Sequence, residues 1–174
     1  MLDDFYEESA FPLAYLLTFR TFGTWLHGDA RGSVARNGKV ISGPKKTDPN
    51  VPLLEAMSEG TNQAAVQFDS AQRKIVTEAI CEVCVYRDYT LHAVNVRSNH
   101  THAVISKAVK PEKIVNDLKA YSTRRLREQW QFGSDERVWS RGASTRYLWK
   151  PRHLAGAVDY VLYCQEDIPF EFKE

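Results

Sequence analysis

Asn99-His100-Thr101-His102-Ala103-Val104-Ile105 is the stretch on which the reading of this chain turns. Two histidines flank one residue, and the run then becomes apolar. With Val94 and Val96 just upstream, the neighbourhood has strand character. Residues i and i+2 of a strand point to one face. His100 and His102 are therefore predicted to stand side by side, with Thr101 on the opposite face. Two neutral imidazoles so placed form a half-site for a divalent cation. Two surface histidines on an edge strand would give the same pattern, and this stretch alone does not separate the two.

Working outward, Leu91 to Arg97 and His100 to Ser106 alternate as strands and are joined by Ser98-Asn99, which predicts a hairpin. His92 lies on the first of them, either near the pair or packed elsewhere. Upstream, Asp69 and Gln72 have capping-box spacing for a helix to about Tyr86, with Ile75, Val76, Ala79, Ile80 and Val83 as its apolar stripe. Downstream, Pro111 opens a helix to about Trp130, with Ile114, Leu118, Tyr121 and Leu126 inward. Leu13 to Leu26 reads as the first strand, and a short strand falls near Tyr147-Leu148-Trp149. A last helix spans about Arg152 to Cys164. The order β-α-β-β-α-β is that of an α+β, ferredoxin-like (RRM-like) antiparallel sheet. Helices are expected on one face, with an additional C-terminal helix, and the histidines on the other face. One domain is expected over residues 1–174, with a long loop or insertion at about 28–68. The basic residues Arg31, Arg36, Lys39, Lys45 and Lys46 of that segment either touch phosphates or are solvated.

The formal net charge is +1, so no global field draws the chain to nucleic acid, and any such binding needs a local patch. The densest patch is Lys119, Arg124, Arg125 and Arg127, beside the hydroxyls of Ser122 and Thr123. It reads either as a phosphate-contacting surface or as a solvated helix face. Three cysteines and no signal segment point to a reducing compartment, and Cys81 and Cys84 read as buried structural thiols. No apolar run approaches the roughly 20 residues that span a bilayer. A cytoplasmic protein without membrane contact is expected.

Five pieces in order resemble the REP-associated tyrosine transposases, a branch of the single-tyrosine HUH endonuclease and transposase superfamily. They are Leu17-Thr18-Phe19-Arg20-Thr21-Phe22-Gly23-Thr24-Trp25-Leu26, His100-Thr101-His102, Leu118 to Leu126, Trp139-Ser140-Arg141-Gly142 with Thr145 to Trp149, and Val158 to Tyr163. The resemblance implies a metal-dependent single-stranded DNA endonuclease and strand transferase acting near hairpins such as REP-like inverted repeats. It implies Mg²⁺ or Mn²⁺ as cofactor, a covalent 5′-phosphotyrosine, and a bacterial protein on the nucleoid when bound to DNA. It implies single-stranded or hairpin DNA as partner, with the chain expected to act as a monomer or homodimer. The nucleophile it implies is Tyr160, in Asp159-Tyr160-Val161, with Tyr163 and Tyr121 as competitors. Tyr121 sits on an apolar stripe, which a core aromatic explains. The implied metal ligands are His100, His102 and Gln165. Related chains carry Asn or Gln four residues past the tyrosine. Here that position is Cys164, and Gln165 lies about 140° past Tyr160 on a regular helix, so it needs a bulge or a helix end to share the site. Arg20 and Arg141, in the matching pieces, join Lys119, Ser122, Thr123, Arg124 and Arg125 as expected DNA contacts. Two other readings stand beside this one: a domesticated hairpin-DNA-binding protein that no longer cuts, and a histidine-metal hydrolase unrelated to DNA.

Overall fold

Asp69 caps the first helix as its sequence predicts: its carboxylate accepts from the Gln72 amide, and the Gln72 side chain accepts from the Asp69 amide. The computed structural model describes residues 10–24, 33–34, 46–47, 63–130 and 132–164. Among these the elements run β1 (Ala14–Arg20), β2 (Ser33–Val34), β3 (Lys46–Thr47), α1 (Ser70–Tyr86), β4 (Thr90–Val96), β5 (His100–Ser106), α2 (Pro111–Trp130), β6 (Ser144–Leu148) and α3 (Pro151–Tyr163). The short strands β2 and β3 pair with each other. The other four strands form one antiparallel sheet in the order β4-β5-β1-β6. With β1, β4, β5 and β6 as its four strands in chain order, this is the ferredoxin-like arrangement.

The two faces of the sheet carry different cores. Tyr15, Leu17 and Phe19 of β1 meet Ile75, Val76 and Ile80 of α1 and Ile114, Leu118 and Leu126 of α2. On the other face Ala14, Leu16, Ala93, Val104 and Leu148 are covered by Ala157 and Val161 of α3. The second face is therefore not bare. Its apolar residues would lose burial if exposed, at about 25 cal/mol per Å², and the terminal helix supplies the cover. This explains why Val104 and Ile105, which alternate between the faces, are both fully buried.

Two features that the sequence leaves loosely defined take a definite place here. Val66 and Phe68 fall inside the segment read as an insertion, but both are core residues. The amide of Val66 bonds Phe22 O and that of Phe68 bonds Ser98 O, so the stretch closes against the sheet. His92 bonds Ser106, at the opposite end of the hairpin from His100, and does not neighbour the pair.

Candidate active site

The histidines occupy an interior strand. His100 lies opposite Arg20 and His102 opposite Thr18 on β1, while Asn95 of β4 flanks His102 on the other side. Asn95, His102, Thr18 and Ser144 thus form one row across the sheet, on the face that α3 covers. The two imidazole rings are 4.7 Å apart, centre to centre, and nearly perpendicular. His100 is buried.

Each imidazole is oriented through Nδ1. His100 Nδ1 lies 2.6 Å from Asn99 Oδ1, and His102 Nδ1 lies 2.8 Å from the Thr18 hydroxyl. An amide oxygen accepts, so His100 Nδ1 carries the proton and Nε2 the lone pair. The Thr18 hydroxyl fixes the orientation of the His102 ring and either accepts from its Nδ1–H or donates to its Nδ1. Histidines that bind metals through Nε2 are held in this manner, so the residues present fit a divalent cation. No group of three His, Cys, Asp or Glu side chains that could hold a metal ion is present among the described residues. Gln165, the third ligand the resemblance implies, lies outside the described residues.

The turn before the histidines is held by the segment after β1. The Thr21 amide and hydroxyl donate to Asn99 O at 3.0 and 3.1 Å, and the Thr24 hydroxyl closes the turn by donating to Thr21 O at 2.9 Å. Gly23 makes this possible: its φ is +73°, and a Cβ there would come within 3.0 Å of Ala65 Cα. The Thr21-Phe22-Gly23-Thr24 motif is thus a clamp on the residue that orients His100. The sequence reading did not single out the roles of Asn99 and Thr21. Hydroxyl and amide residues immediately beside the histidine motif were the available signal.

Of the three candidate tyrosines, one meets the histidines. The Tyr160 ring is 5.5 Å from the His102 ring, edge to face. Tyr163, less than one turn on, is 75% exposed. Tyr121 lies beyond the sheet on α2, tilted against Tyr86 with Arg124 over its face. The helix ends at Tyr163, and Cys164 has φ −87° and ψ 84°, outside helical geometry.

The expected basic patch is placed differently from its sequence reading. Helix α2 packs on the face opposite the histidines. Arg125 pairs with Glu82 and Glu128, and Arg124 with Glu128. Ser122 is fully buried, so its hydroxyl is turned away from any phosphate. The Thr123 hydroxyl donates back to Lys119 O. Lys119 reaches into the fold, donating to Ser140 O and Gly142 O, and burial lowers its amine to about 8. These two carbonyls flank Arg141, which is exposed. The same segment bonds to β1 through Ser140 N to Arg20 O and the Ser140 hydroxyl to Thr21 O. Lys119 therefore shapes the loop that carries Arg141, and Arg141 belongs to the end of the sheet where Arg20 and His100 lie. Cys84 is buried, with its thiol pushed up to about 12 mainly by desolvation; Cys81, expected to be buried, is exposed. No described helix is long and apolar enough to cross a membrane.

No curated protein matches the chain. A 1.90 Å crystal structure of a candidate transposase from Deinococcus radiodurans R1 is similar at 13% identity and a TM-score of 0.42, covering 82% of this chain and 83% of that one. The family model described as "Transposase IS200 like" matches residues 61–163, more than half of the sequence and all of the elements from α1 to α3. The chain belongs to the IS200-like transposase family.

Proposed function

We propose that this DNA-processing protein cuts and rejoins single-stranded DNA beside hairpins such as REP-like inverted repeats, through a covalent 5′-phosphotyrosine on Tyr160. The observation that carries the reading is the Tyr160 ring set against His102, on the face His102 shares with His100. In the cutting step the Tyr160 phenol loses its proton and its oxygen attacks the scissile phosphorus. The bond from phosphorus to the 3′ oxygen breaks, and that oxygen leaves as the 3′-hydroxyl after taking up a proton. The phosphoester is conserved on the tyrosine, so a different 3′-hydroxyl can reverse the attack and join a new strand. His100, His102 and Gln165 would hold Mg²⁺ or Mn²⁺, which when bound polarises the phosphate and offsets its developing charge. Asn99 holds the His100 imidazole in the tautomer that presents Nε2, and Thr18 fixes the orientation of His102. Arg20 and Arg141, at the histidine end of the sheet, contact backbone phosphates.

Cys164, at the position where related chains have Asn or Gln, favours a second reading: a hairpin-binding protein that does not cut. A gel with hairpin-flanked single-stranded DNA and Mn²⁺ decides between them. Nicking with a covalent protein–DNA band is the expected result. A mobility shift without nicking would establish the binder.

A further inference from the structure

We infer that Asn95 is a positioning residue for the nucleophile: it caps the end of α3 and so fixes Tyr160 over His102. The inference rests on the proposed role of Tyr160. The last carbonyls of a helix lack intrahelical partners. In α3 the Tyr160 carbonyl accepts from the Cys164 amide, and the next one, Val161 O, accepts from Asn95 Nδ2 at 3.0 Å. Asn95 is not a surface residue that happens to reach the helix. It lies on β4 directly beside His102, so the strand that flanks the histidine also holds the main chain of the residue after Tyr160. Val161 is buried against the same face, which fixes the rotation of the helix, while the Asn95 bond fixes its position along the sheet. One side chain thus couples the row that carries His102 to the backbone that carries the tyrosine. It also takes up a carbonyl whose helical partner would be the amide of residue 165.

Asn95→Leu removes the donor at similar volume, and Asn95→Gln keeps a donor one methylene farther out. For the leucine variant, nicking kcat should fall at least about tenfold with KM within about twofold, the pattern of a lost transition-state alignment. Hairpin binding should match the parent. Amide exchange from Tyr160 to Cys164 should quicken, and the proton contact between the Tyr160 and His102 rings should weaken by NMR. The glutamine variant should recover a measurable part of both the rate and the ring contact. Parental kcat in the leucine variant, or an unchanged ring contact, would overturn the inference. So would a fall in kcat that merely follows a lower melting temperature and is not recovered by glutamine. If the parent itself neither nicks nor forms an adduct, the proposed function fails, while exchange and ring contact still decide whether Asn95 positions the tyrosine.

Discussion

The Tyr160 ring stands edge to face against His102, 5.5 Å centre to centre, although the two residues come from a terminal helix and an interior strand. The contact puts a hydroxyl-bearing side chain beside the candidate cation site while its ring does the packing. Ring and hydroxyl can therefore be tested separately.

Tyr160→Phe keeps the ring and deletes the hydroxyl. Nicking and the covalent adduct should disappear, and stability should change by no more than about 1 kcal/mol. Tyr121→Phe and Tyr163→Phe should retain cleavage. Mass spectrometry of trapped adducts reads the outcome, and a nucleotide on Tyr163 would reassign the nucleophile.

His102→Ala should abolish cleavage and weaken Mn²⁺ binding, followed by calorimetry or electron spin resonance. Hairpin binding should survive, because phosphate contacts supply most of the affinity. Undiminished Mn²⁺ affinity would remove His102 from the ligand set.

The arginines should separate by location. Arg20→Ala should lower the log–log salt slope of DNA binding by about one unit, the effect of one lost phosphate contact. The double change of Arg124 and Arg125 to Ala should lower it by less than about one unit, since both already pair with glutamates on the far side of the sheet. A fall of about two units in the double variant would restore α2 as a DNA surface.

Gly23→Ala should destabilise the fold by about 1–3 kcal/mol, because a side chain at positive φ is strained and meets Ala65. Denaturant melts measure the loss. Slower nicking should accompany it as the Thr21 and Thr24 clamp on Asn99 loosens.

Lys119 gives a pH dependence of defined sign. Its amine titrates near 8 in the folded chain against the ordinary 10.5, so between these values the unfolded state binds more protons. Stability should therefore rise with pH across that window, and the penalty of burying the charge is fully present below about pH 8. Lys119→Met should flatten the profile from pH 8 to 10.5. An unchanged profile would show that the amine titrates normally.

Helices α1 and α2 were legible almost to the residue, because capping residues and apolar stripes are local signals. The pairing of the histidines on one face followed from strand periodicity. What sequence could not give was which face of the sheet each helix covers. That depends on packing between elements far apart in the chain, and it moved Arg124 and Arg125 away from the site. Lys119 and Ser122 are turned inward, and a basic or hydroxyl residue on a helix gives no local sign of that. Val66 and Phe68 were missed because two apolar residues in a polar stretch show no period.

The row of Asn95, His102 and Thr18 has a consequence for how the protein acquires its site. Thr18 and His102 are 84 residues apart in sequence, and Asn95 and Val161 are 66 apart. Each link forms only after a long chain segment has closed on itself, and such non-local contacts are slow to form. The entropy of that closure grows only logarithmically, at about 0.6 kcal/mol per doubling of loop length. Within the connection between β1 and α1, length changes that spare residues 21–24 and 65–68 therefore cost the histidine row little loop entropy. A chain cut before α3 would still carry both histidines and Thr18. It would lack Tyr160 and the cover of the second face, so on the proposed function cutting would require α3.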